Sequence, residues 1–208
     1  MLYTTEESRE YKRLLCLTFI DLQKAFDSIE IEAVMEALGG QGVPAQYVKI
    51  LRELYKNFTS KISPFYNDIN ADVKRGVRQG DTISPKLFTA TLQNVMRALE
   101  WNNMGVKIYG RQLLHLHFAD DIVLITNISH AERMLADFDR PCGKIGLRLN
   151  LTQMMFMKNG LVSFASFTLN GKNISECCSY VYLGRKINMV NNLASELSRR
   201  KQAAWGVF

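Results

Sequence analysis

The stretch from Leu113 to Thr126, L-L-H-L-H-F-A-D-D-I-V-L-I-T, constrains this chain more than any other. Leu114, Leu116 and Phe118 alternate with His115 and His117, the period of a strand with one buried face. Ile122 to Ile125 is apolar without a break, as in a short buried strand. Asp120 and Asp121 stand between them, which predicts two strands joined by a tight turn with both carboxylates at its tip. Aspartate is also an ordinary turn residue, and an acidic pair in a hairpin often has no other role. Yet adjacent carboxylates beside apolar strands repel, which favours protons or a cation. A hard divalent ion such as Mg²⁺ relieves both problems.

A second strand ends in an acid. Leu14 to Asp21 reads L-L-C-L-T-F-I-D, with Leu15, Leu17, Phe19 and Asp21 on one face. If the two strands lie side by side, Asp21 meets Asp120 at one end of a sheet. Such a cluster could hold two ions about 3.5–4 Å apart, the spacing that clamps the attacking and leaving oxygens of a phosphoryl transfer.

Composition narrows the classes. At 208 residues and 47% hydrophobic content the chain can bury a real core. A formal charge of +6 suits an anionic partner without requiring one. Cys16, Cys142, Cys177 and Cys178 form no CxxC pair, and the adjacent two are poor geometry for zinc or a disulfide framework. A reduced, intracellular chain is expected. No apolar run approaches the roughly 20 residues of a membrane span, and Met1 to Lys12 is too polar for a signal peptide.

Other elements follow from local pattern. Asp27 and Glu30 are spaced as a capping box. Ile31, Val34, Met35 and Leu38 share a helical face, and Gly39-Gly40 should stop that helix. Pro44 should open the next helix at its first position. The stripe Tyr47, Ile50, Leu51, Leu54, Tyr55 and Phe58 is predicted to be core. Thr59 to Val77 suggests a loose hairpin or a loop, with Asn67-Asp68 as one candidate turn. Arg75 to Pro85 is a glycine-flanked loop feeding a helix, capped by Ser84 with Pro85 at N1. Phe88, Leu92, Val95 and Leu99 should face inward, with Gly105 as the stop. A loop of this kind suits phosphate contact, and equally a plain structured turn. Ser129 should cap a further helix with Met134, Leu135 and Phe138 inward. Pro141 should end or kink it, since proline in a helix interior costs about 3 kcal/mol or more. Asn170-Gly171 predicts a two-residue hairpin, Tyr180 to Gly184 a short strand, and Glu196 to Ala204 a basic helix.

Five motifs occur in order: F-I-D-L-Q-K-A-F-D, R-G-V-R-Q-G-D-T-I-S-P-K-L-F, F-A-D-D, G-L-R-L-N and Y-V-Y-L-G. Through them the chain resembles the reverse transcriptase domain of non-LTR (LINE-type) retrotransposons, most of all the RTE-like group. The resemblance implies an α+β polymerase palm, an antiparallel sheet with helices packed on one face. It divides the chain into an extension (residues 1–13), the palm (14–186) and the truncated start of a thumb (187–208). It implies that Asp21, Asp120 and Asp121 are catalytic and hold two Mg²⁺ ions, with Mn²⁺ as a possible substitute. Phe26, Arg78, Gln79 and Gly80 would meet the nucleotide, Phe26 screening the sugar 2′ position. Tyr182, Leu183 and Gly184 would form the primer grip. The implied chemistry is attack of a DNA primer 3′-hydroxyl on the α-phosphate of a dNTP, directed by an RNA template. No membrane is involved.

Lys24 also fits the first motif, and fits equally a local salt bridge. His115 and His117 as zinc ligands are disfavoured by this context. Gln153 and Met154 depart from a usual lysine–threonine pair, and Pro141 from the usual helix. The fingers, most of the thumb and the endonuclease are expected to be absent, leaving the palm of a larger enzyme or a decayed copy. An inactive, truncated nucleic-acid-binding remnant is the alternative. A metal-dependent phosphodiesterase ranks third, for want of an evident histidine or lysine base.

Overall fold

The computed structural model describes residues 5, 6, 8, 10, 13–56, 59–62, 69–161 and 168–205. The chain begins with β1 (Cys16–Ile20), α1 (Ala25–Ser28), α2 (Ile31–Gly40), α3 (Ala45–Tyr55), β2 (Thr59–Ile62) and β3 (Ile69–Asp72). Next come α4 (Ser84–Arg97), β4 (Val106–Ile108), β5 (Arg111–Leu113), β6 (His115–Phe118), β7 (Asp121–Thr126) and α5 (Ile128–Lys144). It continues with β8 (Met155–Lys158), β9 (Thr168–Leu169), β10 (Lys172–Asn173), β11 (Ser175–Glu176), β12 (Ser179–Tyr182), β13 (Arg185–Asn188) and α6 (Ala194–Trp205). Two compact units result. One comprises Met1–Asp21, Trp101–Asp137 and Leu149–Phe208; the other comprises Leu22–Glu100 and Phe138–Arg148. Among the described residues no helix is long and apolar enough to cross a membrane.

The first unit is built on a five-stranded sheet in the order β11-β8-β1-β7-β6. Every pairing is antiparallel except β11 on β8. β1 and β7 lie side by side and are buried on both faces beyond Asp121; Cys16 lies opposite Thr126 and Ile20 opposite Ile122. Leu15, Leu17, Phe19, Val123, Ile125 and Met157 form one buried face, joined by Val106 and Ile187. Ile108 and Leu113 of the β4–β5 hairpin and Tyr180 and Tyr182 of β12 pack against it. Cys16, Thr18, Ile122, Leu124, Thr126 and Phe156 alternate with that set and are buried too. The Thr126 hydroxyl donates to the Met104 carbonyl at 2.6 Å. All four cysteines are unpaired, and burial pushes the Cys16 thiol up to about 12.

α5 buries Met134, Leu135 and Phe138 completely, as their spacing predicts. Its cap is Asn127, not Ser129: the Asn127 carboxamide oxygen accepts from the His130 amide at 3.0 Å and the Ser129 hydroxyl at 2.6 Å. Nor does Pro141 end the helix, which runs on to Lys144. The buried face on the preceding turns outweighs the lost hydrogen bond. Pro141→Ala restores a donor and removes a ring clash, so it is expected to raise the unfolding free energy by up to about 3 kcal/mol. Urea unfolding measures this; a lower midpoint would mean that ring packing outweighs the backbone defect.

α6 is held to β13 by a buried acid. The Glu196 carboxylate accepts from the Lys186 amide at 2.8 Å, from Arg199 at 2.9 Å and from Arg200. Those donors, the two arginines first, hold its carboxyl well below the usual carboxylate range. A depressed carboxyl contributes stability above its unfolded value of about 4.3, and loses it as pH falls toward the folded value. α6 is therefore expected to loosen below about pH 4, read as faster amide exchange in α6 than in β1.

The second unit gathers α1 to α4 and the β2–β3 hairpin. Its helix boundaries differ from those predicted. Asp27 lies inside α1 and Glu30 is itself the N-cap of α2, without a side-chain bond. The capping box fails because Asp27 bonds Gln79 and Glu30 pairs with Arg75. α2 runs through Gly39 and Gly40; Gln41 caps it, and Gly42 has the left-handed φ of +83°. Pro44 is the N-cap of α3 and Ile83 that of α4, so Ser84 and Pro85 sit one place deeper than expected. α4 ends at Arg97, well before Gly105, and buries Phe88, Leu92 and Val95.

The α3 stripe is not core: Tyr47, Ile50 and Leu54 are 53%, 56% and 52% exposed. An apolar face shows that a helix can be covered, and nothing about whether it is. Phe58, Asn67, Asp68 and Val162 to Phe167 lie outside the described residues. Asn170 and Gly171 do form the expected turn, with φ of 51° and 76°.

Candidate active site

The β6–β7 hairpin turns more tightly than its sequence suggests. Phe118 pairs with Asp121, so the turn is Ala119-Asp120 and Asp121 is the first residue of β7. Ala119 takes a φ of 52° there, a conformation that costs an L-residue roughly 1–2 kcal/mol. β1 runs antiparallel to β7 with Ile20 opposite Ile122. One further step of that register sets Asp21 beside Asp121. The three aspartates thus converge at one end of the sheet. The Asp121 carboxyl is pushed above its usual range, first by burial and then by the charges of Asp120 and Asp21.

This donor set suits a hard cation, since it consists of carboxylate oxygens that repel one another. Among the described residues, however, no three His, Cys, Asp or Glu side chains are gathered closely enough to hold a metal ion. The backbone juxtaposes the carboxylates without closing them into a cage.

The β12–β13 hairpin lies against the acidic turn. Leu183 and Gly184 have φ of 48° and 72°, both left-handed, as a two-residue hairpin of this hand requires. Tyr180 stacks on Phe19 at 4.0 Å and 12°. The Tyr182 hydroxyl donates to the Asp121 carbonyl at 3.2 Å. Burial raises both phenols, followed by Asp21 and Asp121 for Tyr180 and by Asp121 for Tyr182. Tyr182 thus touches the acidic hairpin, and Leu183 and Gly184 form the turn that follows it.

Sequence reasoning does not single out Asn150. Its amide donates to the Asp21 carbonyl at 2.8 Å, its carboxamide donates to Gln153, and it accepts from Thr152 at 2.7 Å. It ties the first acid to Gln153. The only signal is its place at the end of G-L-R-L-N. His115 and His117 stack on each other at 5.7 Å, with Trp101 edge-on to His115 at 6.0 Å. Burial, then His117, lowers His115.

The remaining candidates belong to the second unit, where they form one assembly. Phe26 stacks on Phe88 at 4.7 Å. The Gly76 amide donates to the Ile29 carbonyl at 2.8 Å and the Val77 amide to the Phe26 carbonyl at 2.7 Å. Gln79 donates to the Asp27 carboxylate at 2.7 Å. Arg78 donates to the Leu54 carbonyl at 2.8 Å and lies 5.6 Å over the Tyr55 ring. Gly80 has a φ of +81°. The loop thus wraps the turn that carries Phe26. Lys24 starts that turn at a φ of 44°, its carbonyl accepting from the Ser28 hydroxyl at 2.6 Å.

Residues 2–187 match the family described as reverse transcriptase (RNA-dependent DNA polymerase). The chain belongs to this reverse transcriptase family. A transposon-derived protein of Caenorhabditis elegans is 36% identical over 108 residues, covering 50% of this chain and 39% of that protein. The Pol polyprotein of the type-1 retrotransposable element R2 of Nasonia vitripennis is 31% identical over 121 residues, 58% of this chain and 12% of the polyprotein. That of Bradysia coprophila is 30% identical over 146 residues, 69% and 17% respectively. These relatives bear out the non-LTR resemblance. The chain spans 39% or less of each of these three.

Among solved structures, an apo telomerase from Candida tropicalis superposes with a TM-score of 0.63 at 15% identity, over 91% of this chain and 38% of that one. A telomerase from Candida albicans, in complex with a fragment of telomeric RNA, gives 0.60 at 12% identity, over 89% and 32%. At such identity the likeness is one of fold, and the fold is the expected palm.

Proposed function

We propose that this reverse transcriptase domain is the palm of an RNA-directed DNA polymerase, extending a DNA primer on an RNA template from dNTPs. The observation that carries the proposal is the β1–β7 register, which puts Ile20 opposite Ile122 and so brings together the strand ends that carry Asp21 and Asp121, next to Asp120. Asp21, Asp120 and Asp121 would hold Mg²⁺, as two ions, with Mn²⁺ as a substitute. When bound, these ions supply charge stabilisation to the attacking and leaving oxygens.

The chain's own residues contribute position. Tyr182 holds the Asp121 carbonyl and so steadies the acidic hairpin, while Leu183 and Gly184 present a turn for the primer terminus. Phe26, backed by Phe88, screens the sugar 2′ position. Gln79 and Gly80 offer the loop to nucleotide and template. Arg78 anchors that loop through Leu54 and Tyr55. An intracellular site accompanies this reading, and four unpaired cysteines argue for it.

Primer extension on an RNA template tests the proposal in two proteins: the 208-residue chain, and an R2 polyprotein whose matched region is replaced by it. The chain alone is expected to extend poorly or not at all. A misplacement of about 1 Å can cost about 10²-fold, and the relatives devote most of their length to other segments. The chimera should show extension that Asp120→Asn abolishes. Silence in both, with restoration by Gln153→Lys, would place the defect at Gln153. A chimera that stays silent with that lysine would overturn the polymerase reading.

A further inference from the structure

Among the described residues Glu196 is the one charged side chain in the buried set, at 4% exposure. On the same helix and its leading edge, Leu193, Leu197 and Trp205 are 45%, 65% and 71% exposed. α6 thus buries its acid and leaves its large apolar side chains outside. Such an inversion is stable only if the buried charge is fully bonded. Here it is, by Lys186, Arg199 and Arg200. What those donors belong to is informative. Lys186 is the second residue of β13. Arg199 bonds Glu196 through two nitrogens and also donates to the carbonyl of Gly184, in the β12–β13 turn. At the end of β12 that enters this turn, Tyr182 donates to the Asp121 carbonyl. An unbroken chain of contacts therefore runs from Glu196 through Arg199, the Leu183-Gly184 turn and Tyr182 to the acidic hairpin. Charge-assisted, forked bonds of this kind fix geometry as well as contribute energy.

We propose that Glu196 is a positioning residue: with Arg199 it fixes the Leu183-Gly184 turn and, through Tyr182, the hairpin that carries Asp120 and Asp121. The mechanical part rests on the contacts alone. Its consequence for primer placement rests on the polymerase reading above. Glu196 acts at a distance, so its loss should lower turnover by misplacing the primer terminus, and leave primer affinity nearly unchanged.

Backbone amide NMR on the whole chain tests the mechanical part. Glu196→Gln keeps the shape and an acceptor for Lys186 but removes the charge that both arginines bond. It should move the signals of Leu183 to Lys186 and also those of Asp120 to Ile122, while Asn170 and Gly171 stay in place. Tyr182→Phe cuts the path, so adding Glu196→Gln to it should leave Asp120 to Ile122 where Tyr182→Phe alone put them. Arg199→Lys, a milder change, should move the same residues by less, and it serves as the deciding variant if Glu196→Gln does not fold. Shifts confined to α6 and β13, or shifts at Asp120 that persist unreduced with Tyr182→Phe, would overturn the proposal. In the R2 chimera, Glu196→Gln should lower kcat about 10-fold at unchanged KM for primer, the lower range for residues that orient a metal site. A loss in KM alone would overturn the link to primer placement. A chimera without any extension would overturn the polymerase reading, whereas the mechanical coupling stands or falls on the amide shifts.

Discussion

Asp120→Asn is expected to abolish Mn²⁺ binding and yet leave the fold as stable as before, or more so. The two effects have one cause. Asp121 sits at the start of β7 with its carboxyl pushed up by burial and by the charges of Asp120 and Asp21. Without a cation that repulsion opposes folding, and removing one charge relieves it. With a cation the same charges become the source of affinity. Wild type should therefore gain stability on adding Mn²⁺, by about 2.7 kcal/mol at a hundredfold excess over Kd. For a chain of this size that is a rise of roughly 5–10 °C in Tm. Asp120→Asn and Asp21→Asn should show no rise, whereas Glu36→Gln, an exposed acid on α2, should behave as wild type. Thermal unfolding with and without Mn²⁺ reads all four proteins. An equal rise in Asp120→Asn and wild type would return the acidic pair to ordinary turn chemistry.

The acidic site was legible because its signals are local and periodic. The largely apolar runs of β1 and β7 mark them as strands, and each run has an aspartate at or just past its end, so pairing the two strands side by side brings the acids together. The β9–β10 turn was legible for a similar reason, since Asn170-Gly171 is a residue pair that accepts the left-handed region; the Tyr180 to Gly184 strand instead ends at Tyr182, and Leu183-Gly184 is its turn. Partners remote in sequence were not legible. Asp27 looks like half of a capping box, but the hydrogen bond it accepts comes from Gln79, 52 positions away. Asn150 reads as the end of a motif, and only its bond to the Asp21 carbonyl reveals what it does.

Two helices mislead in opposite ways. α3 has the clearest apolar stripe in the chain, yet Ile50 is 56% exposed. Periodicity reports an apolar face and is silent on its cover. In α6, hydropathy would turn Leu197 inward and Glu196 outward, and the structure does the reverse. The reason is short-range: arginines three and four residues after Glu196 reach back to it, the spacing at which helical side chains meet. The deciding donor is the Lys186 amide, which only the folded hairpin supplies.

Gly76→Ala is expected to be strongly destabilising to the second unit. Gly76 has a φ of +89°, and a Cβ there would lie 2.7 Å from the Asp27 Cα and carbonyl oxygen and 2.8 Å from the Phe26 carbonyl oxygen. All three are backbone atoms, which cannot rotate aside. The left-handed conformation alone costs an L-residue about 1–2 kcal/mol, and overpacking adds about 1–3 kcal/mol. To relieve the clash the loop must back away from α1. It would then lengthen the Gly76–Ile29 and Val77–Phe26 bonds and withdraw Gln79 from Asp27. Gly80→Ala is the control: its φ is +81°, but a Cβ there meets nothing within 4 Å. Urea unfolding should therefore find Gly76→Ala about 1–3 kcal/mol worse than Gly80→Ala, the difference being overpacking alone. Because the displaced loop carries Gln79 and leans on Phe26, Gly76→Ala in the R2 chimera should also weaken discrimination against ribonucleotides. Equal destabilisation by the two alanines, with discrimination intact, would mean that the loop moves freely and that Phe26 keeps its place without it.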